Sequence, residues 1–196
     1  PTQNNAHPHL SCEAVSLVHN GIIENHEALR QELTEQGYHF ESETDTEVMA
    51  HLIHHLVAAC GDFRQGVSEA LTRLEGAYDI AVQHRDFPDR LIGARQGSPL
   101  VVGLGIGENF IASDPQALRP VTDRFIYLEE GELVELTRSE VSIFGGRETS
   151  VASRAVTLDS RDDAADKGTF RHFMLKEIYE QPQAIRNTLH GPGGNT

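Results

Sequence analysis

Apolar residues recur at helical spacing in much of the first 76 positions of the chain. Residues 45–59 are the clearest helix, with an apolar face formed by Val48, Leu52, Ile53, Leu56 and Val57. Two further helices are predicted over residues 24–36 and 65–74, each followed by a glycine where a helix commonly ends. Residues 14–19 instead form a short apolar strand that ends at Asn20-Gly21. A helical segment follows Asn-Gly, although this pair usually turns a hairpin between two strands.

The pattern changes to strands from residue 77 onwards. Seven apolar segments follow one another about every ten residues, with Gly, Pro and Asp between them: "AYDIAVQH", "RLIGAR", "PLVVGLG", "ENFIAS", "RFIYLE", "GELVELT" and "EVSIFG". Residues 157–170 are predicted to be a polar surface loop, and residues 171–189 a helix bent at Pro182. Helices grouped before many strands indicate an α+β fold rather than a parallel doubly wound sheet.

Charge and cysteine content exclude several classes of partner. The 196 residues carry a formal charge of -14, which argues against a nucleic acid or an anionic membrane as partner. No apolar stretch approaches the roughly 20 residues that span a bilayer. The two cysteines, Cys12 and Cys60, suggest no disulfide framework, so a cytoplasmic location is predicted.

Two patterns resemble ligand sites but favour plainer interpretations. His51 and His55 lie four apart on a predicted helix, with Glu47 on the same stripe. Because this stripe is opposite the apolar face, we expect it to be solvent-exposed, and we predict no metal or cofactor. The glycine-rich residues 103–110 precede a strand rather than a helix, so a hairpin turn is a better interpretation than a phosphate-binding loop.

Asn20-Gly21 and Asp45 each allow a structural and a functional interpretation. The Asn20 amide and the Gly21 backbone N–H at a strand end are two donors of the kind an oxyanion hole requires. On the residues alone, however, a simple turn is favoured. Asp45 begins the clearest helix, where Thr44 and Glu47 also fit a capping box. Its carboxylate there interacts favourably with the helix dipole, or it anchors the ammonium group of a ligand.

Four segments carry a family resemblance: "VHNGIIENHEALRQEL", "SETDTEVMAHLI", "GSPLVVGLGIGENFIASD" and "RHFMLKEIYEQPQAIRNTL". Over residues 5–189 the chain closely resembles the glutaminase domain of bacterial glucosamine-6-phosphate synthases, the isomerising glutamine–fructose-6-phosphate aminotransferases. The resemblance implies an N-terminal-nucleophile hydrolase fold, a four-layer αββα sandwich that hydrolyses glutamine to glutamate and ammonia. It further implies a homodimeric parent enzyme whose separate isomerase domain uses the ammonia to convert fructose 6-phosphate to glucosamine 6-phosphate.

The resemblance also assigns roles to individual residues. Asn20 and Gly21 match the oxyanion-hole pair, and Asp45 matches the carboxylate that holds the α-ammonium group of glutamine. Under this assignment, the Asn-Gly pair ends its strand in order to direct two donors at a tetrahedral intermediate.

The family's nucleophile is an N-terminal cysteine whose own amine acts as the base. The chain begins at Pro1, and the amine of Cys12 is part of a peptide bond. Residues 1–189 are therefore expected to be an inactive glutaminase fragment without its first strands and glutamine loop, incomplete at its N-terminus. Residues 190–196 are expected to be a linker, with the isomerase domain absent. Two alternatives stay open: a non-catalytic binding or regulatory module on the same scaffold, and another class II amidotransferase.

Overall fold

The computed structural model of the chain describes residues 3–145, 151–158 and 172–190. The chain divides into two compact units, residues 1–158 and residues 159–196. The described part of the first unit holds ten strands and four α-helices, and that of the second holds one helix. No helix among the described residues is both long enough and apolar enough to cross a membrane.

The strands and helices follow the order that the sequence pattern predicts. The strands are β1 (His9–Ser11), β2 (Val15–Ile23), β3 (Gly76–His84), β4 (Leu91–Gln96), β5 (Val101–Leu104), β6 (Asn109–Ala112), β7 (Arg124–Tyr127), β8 (Leu133–Leu136), β9 (Val141–Phe144) and β10 (Val156–Thr157). The α-helices are α1 (His26–Glu35), α2 (Asp45–Cys60), α3 (Phe63–Leu71), α4 (Val151–Arg154) and α5 (Phe173–His190). All seven strands predicted after residue 77 are present, and the glycine-rich residues 103–110 form the β5–β6 hairpin, as predicted.

The strands form two antiparallel sheets, one ordered β1-β2-β3-β4-β8-β9 and the other β10-β7-β5-β6. Helices α2 and α3 contribute Leu52, Ile53 and Phe63 to a core cluster that also contains Leu17 and Ile80 of the six-stranded sheet. A second cluster joins the two sheets through side chains of β5, β7 and β8, namely Val102, Ile126, Val134 and Leu136. The first unit therefore stacks helices, sheet and sheet, which confirms the α+β class.

Strand β2 differs from the prediction at the Asn-Gly pair. It does not end at His19 but continues through Asn20 and Gly21 to Ile23, paired with β3 along its whole length. The hairpin turn of this region lies instead between β1 and β2, where Cys12 and Glu13 have φ angles of 50° and 54°. The prediction was wrong because pairing with β3, which is distant in sequence, outweighed the local turn signal.

The stripe of α2 that was expected to face solvent is largely buried. Glu47 and His51 are both only 5% exposed. Nδ1 of His51 lies 2.7 Å from Oγ of Ser11, and Nε2 lies 3.1 Å from the carbonyl of His39. The periodicity of α2 could not show this, because β1 and the segment before α2 cover the stripe.

The capping box at the start of α2 is half formed. The Thr44 hydroxyl accepts from the Glu47 backbone N–H, as predicted. The Glu47 carboxylate does not close the box, because it accepts instead from the backbone N–H groups of Glu41 and Ser42, each at 2.8 Å.

The C-terminal predictions are described only in part. Helix α5 includes Pro182 within its span. The predicted loop falls largely on residues 159–170, outside the described residues. Of the linker predicted over residues 190–196, His190 is instead the last residue of α5, and the rest lies outside the described residues.

Candidate functional site

Pairing between β2 and β3 fixes the direction of each backbone N–H group near Asn20. At one end of the pair, Arg85 donates to the Ala14 carbonyl at 2.7 Å, and at the other Glu24 donates to the Glu75 carbonyl at 2.8 Å. In an antiparallel pair, hydrogen-bonded positions alternate with positions whose N–H and C=O groups point away. Even-numbered β2 residues therefore bond to β3, and the N–H groups of Gly21 and Ile23 point to the opposite edge.

That opposite edge of β2 is only partly covered by β1. The register between the two strands ends where His9 pairs with Leu17, so β1 does not extend to Gly21. The N–H of Gly21 therefore faces a section of strand edge that β1 leaves open. This is the geometry that a backbone donor to a bound ligand requires.

Gly21 occupies a position that another residue could not fill. Its φ angle is 145°, and a Cβ atom built on it would lie 2.0 Å from the carbonyl oxygen of Ala77. Glycine is thus required for β2 to pass this close to β3 while it remains extended.

Asp45 lies beside the same edge of β2. Its Oδ2 accepts a hydrogen bond from the backbone N–H of Ile23 at 2.8 Å, which ties the first turn of α2 to the strand two residues beyond Gly21. Its Oδ1 lies 3.9 Å from Nδ1 of His19, beyond hydrogen-bond distance. One carboxylate oxygen thus ties the helix to the strand, and the other lies towards His19.

A small histidine network lies next to Asp45. The hydroxyl of Thr46 is 3.1 Å from Nδ1 of His19 and 3.3 Å from Nε2 of His7. Burial lowers the pKa of His19, and the negative charge of Asp45 opposes this shift. The histidine is therefore held mainly neutral at pH 7, so it does not compete with a ligand cation for Asp45.

The side chain of Asn20 lies on the face of the six-stranded sheet opposite the helix–sheet core. Asn20 is directly opposite Asp79 in the β2–β3 register. Its Nδ2 donates to Oδ2 of Asp79 at 3.4 Å. The structure thus places Gly21 and Asp45 at one edge of β2, with the Asn20 side chain anchored on β3.

One cavity is lined in part by the N-terminal segment, and its walls do not include Asn20, Gly21 or Asp45. Its volume is about 850 Å³, and its walls include His9, Tyr38, Glu47 and His51. Glu47 and both His51 nitrogens already have partners within the chain. Among the described residues, no group of three or more His, Cys, Asp and Glu side chains is arranged to hold a metal ion. These contacts give the cavity walls a structural role.

Comparison with known proteins decides the family. Residues 2–120 match the glutamine amidotransferase domain family. The chain belongs to this family. Three relatives are named glutamine--fructose-6-phosphate aminotransferase [isomerizing]: they come from Idiomarina loihiensis (56% identical over 190 residues), Pseudomonas putida (55% over 191) and Escherichia coli K12 (54% over 191). The alignments cover 97% of this chain and 31% of each relative, so the chain spans about a third of their length.

Solved structures of amidotransferases share the fold. The glutamine phosphoribosylpyrophosphate amidotransferase of B. subtilis, complexed with ADP and GMP, matches with a TM-score of 0.61 and 25% identity. A structure described as the allosteric regulatory enzyme of purine biosynthesis matches with a TM-score of 0.57 and 27% identity. The two matches cover 72% of this chain and 32% and 29% of the respective chains. The N-terminal-nucleophile amidotransferase fold expected from the sequence is confirmed.

Sequence reasoning missed the residues that support the three predicted ones. His19 alternates with Val15 and Leu17 on the buried face of β2, so an inward-facing histidine was readable from the period of the strand. Asp79 lies between Tyr78 and Ile80 in "AYDIAVQH", at a position that the same period places on the opposite face of the strand. Neither pattern could reveal the partner, because Asn20 and Asp79 are 59 residues apart in the chain.

Proposed function

We propose that this glutamine amidotransferase domain binds glutamine and takes part in the hydrolysis of its side-chain amide. Asp45 holds the α-ammonium group, and the Gly21 N–H and the Asn20 amide donate to the oxyanion that forms when the amide carbon is attacked. The 2.8 Å hydrogen bond from Ile23 to Asp45 carries the proposal, because it brings an acceptor for the ammonium to the strand edge that bears the Gly21 donor.

Neither cysteine of the chain is assigned as the nucleophile. Cys12 lies in the β1–β2 turn, and Cys60 is the last residue of α2. The amine of each cysteine is part of a peptide bond, so neither can act as its own base in the way that the family resemblance implies. The proposed contribution of these 196 residues is therefore to bind glutamine and stabilise the oxyanion.

The destination of the ammonia is proposed from the relatives. All three are named for fructose 6-phosphate as well as glutamine, and their identity to this chain is about twice that of the phosphoribosylpyrophosphate enzyme. We therefore infer that the full-length gene product makes glucosamine 6-phosphate. The cytoplasmic location and the homodimeric state of the parent enzyme stay predictions.

Steady-state assays of the full-length gene product test the site. Asn20→Ala should lower kcat for glutamine hydrolysis about 10²–10³-fold, the usual effect of losing one oxyanion donor. Asp45→Asn should mainly raise the KM for glutamine, because it removes the charge that pairs with the ammonium. Unchanged kinetics in both variants would contradict the proposed site.

A product assay separates the alternative functions. Incubation with glutamine and fructose 6-phosphate should yield glucosamine 6-phosphate. Glutamine binding without turnover would instead identify a regulatory module, and turnover with phosphoribosyl pyrophosphate as the only acceptor would identify a different amidotransferase.

A further inference from the structure

Asp79 is a carboxylate in an unusual place for a strand of this sheet. Its neighbours Tyr78 and Ile80 point into the helix–sheet core, and Asp79 points to the opposite face. It is nevertheless only 5% exposed. Burial raises its pKa, while hydrogen bonds from Asn20 and the charge of Arg95 on β4 oppose that rise. A side chain that is costly to bury needs a reason to be there.

Its hydrogen-bond partner is the candidate oxyanion-hole amide. A carboxylate oxygen only accepts hydrogen bonds, whereas an asparagine amide has a donating nitrogen and an accepting oxygen. Only Nδ2 of Asn20 can therefore face Asp79 favourably, and the alternative flipped amide would place two oxygens against each other. The amide nitrogen carries two hydrogens, so one bonds to Asp79 and the second remains for an oxyanion.

Because the Asn20 side chain is exposed, its contact with Asp79 matters for the orientation of the amide. Asn20 is an exposed residue in a strand whose neighbouring side chain, Ile22, is 70% exposed, so packing does little to hold its orientation. At 3.4 Å the contact with Asp79 is long for an N–H···O hydrogen bond. A hydrogen bond of this length still selects one orientation of the amide, because the flipped amide would set two oxygens against each other.

We propose that Asp79 is a positioning residue that holds the Asn20 amide with its nitrogen towards the reacting carbonyl of glutamine. The inference rests on the proposed function, in which Asn20 donates to the oxyanion. It adds a residue of β3 to the three residues, on β2 and at the start of α2, that the family resemblance assigns within this chain.

A variant series in the full-length gene product tests the role of Asp79. Asp79→Ala removes the acceptor, so kcat for glutamine hydrolysis should fall about tenfold, the effect of losing one modest hydrogen bond. The KM for glutamine should not change, because Asp79 is not assigned to bind the ground-state substrate. Asp79→Asn, whose side-chain oxygen still accepts from Asn20, should restore kcat to within about twofold of the wild type.

Asp86→Ala is the matched control, since Asp86 is an exposed aspartate that lies two residues beyond the end of β3. It should leave both kinetic constants unchanged. A kcat in Asp79→Ala equal to that of Asp86→Ala would overturn the inference, as would an equal loss in Asp79→Asn and Asp79→Ala. If Asn20→Ala also kept its kcat, the proposed function itself would fail. A loss in Asn20→Ala alone would overturn only the role of Asp79.

NMR gives a readout that does not depend on activity or on the folding of a variant. In the unmodified full-length gene product, the Asn20 side-chain amide protons should shift with pH in step with the Asp79 carboxyl carbon. The side-chain amides of other exposed asparagines should not follow that titration. Asn20 protons that do not respond to the ionisation of Asp79 would overturn the inference.

Discussion

Two buried carboxylates, Glu132 just before β8 and Asp79 on β3, have very different contacts. The Glu132 side chain is 0% exposed, and its two oxygens lie 2.6 and 2.8 Å from the guanidinium nitrogens of Arg154. It also accepts from the Glu129 backbone N–H at 2.7 Å. Asp79 is almost as buried, yet its side-chain hydrogen bond to Asn20 is 3.4 Å long.

The pKa values of the two groups follow from these contacts. Burial alone would raise both. For Glu132, burial is outweighed by the hydrogen bonds from Arg154 and the Glu129 backbone together with the charges of Arg154 and Arg95, so its pKa is lowered. For Asp79, the contributions of Asn20 and Arg95 do not outweigh burial, so its pKa is raised.

These contacts indicate a structural role for the Glu132 carboxylate and a different role for the Asp79 carboxylate. Arg154 also donates to the Tyr127 carbonyl at 3.0 Å, so the Glu132 pair ties α4 to the end of β7 and the start of β8. The Asp79 carboxylate instead faces the exposed Asn20 amide, with the charge of Arg95 nearby. A buried charge with weak compensation reduces stability, and the proposed positioning role explains why the fold carries it.

The largest expected effect comes from breaking the structural pair. Glu132→Ala leaves the Arg154 guanidinium without its carboxylate in a site where its side chain is 12% exposed. The free energy of unfolding should fall by about 3–5 kcal/mol, the usual cost of removing one partner of a buried ion pair. Urea denaturation at pH 7 measures the change.

The control for this prediction is Asp86→Ala. Asp86 pairs with Arg85 at 3.3 Å, but both side chains are more than 60% exposed. Its loss should change the unfolding free energy by less than about 1 kcal/mol. A Glu132→Ala variant as stable as this control would show that the Arg154 pair does not hold the β7–β8 region together.

Gly21→Ala tests the backbone beside Asp79. The new methyl group would overlap the Ala77 carbonyl and force a φ angle of 145° on a residue that avoids it. The free energy of unfolding should fall by at least about 2 kcal/mol. The measurement shows whether this region is rigid in its backbone even though its side-chain contacts are weak.

Gly107→Ala isolates the contribution of φ alone. Gly107 has a φ angle of 74°, and a Cβ atom there would meet nothing within 4 Å. The Gly107→Ala substitution should lower the free energy of unfolding by about 1–2 kcal/mol. Equal losses in both variants would contradict the close approach of β2 and β3 at Gly21.

Local pattern was sufficient to predict most elements of this fold. Helix α2 was predicted to start at Asp45, and the structure starts it there, because its apolar spacing and the Thr44 cap agree. The seven later strands were equally clear, since turn residues separate each apolar run from the next. Here the local and the long-range interactions favour the same structure.

The site was harder to predict because its contacts join distant segments. Nothing near Asn20 in sequence indicates that β3 will extend β2 beyond the Asn-Gly pair. The burial of His51 depends on Ser11 and His39, and no period within α2 contains them. The convergence of the Asn20 amide, the Gly21 N–H and Asp45 on one ligand stays a prediction, which the kinetic variants above test.

The smallest expected effect is the pH dependence of the unfolding free energy that each of the two carboxylates contributes. The raised pKa of Asp79 means that its contribution to stability is fully present below the unfolded value, about 3.9, and is lost as pH rises through the folded pKa. The lowered pKa of Glu132 has the opposite consequence, because its contribution is present above about 4.3 and is lost as pH falls. Relative to the wild type, Asp79→Asn should therefore gain stability between pH 4 and pH 7, whereas Glu132→Gln should lose it.

Urea denaturation of the wild type and both variants at pH 4 and pH 7 measures these two differences, and other titrating groups cancel in the comparison. Asp86→Asn should show almost no difference from the wild type at either pH, because its carboxylate is exposed. The two changes should have opposite signs, because burial outweighs the contacts of the Asp79 carboxylate, whereas the contacts of the Glu132 carboxylate outweigh burial. Differences of the same sign in the two variants would show that Asp79 is a structural carboxylate like Glu132, and the contrast between the two regions would fail.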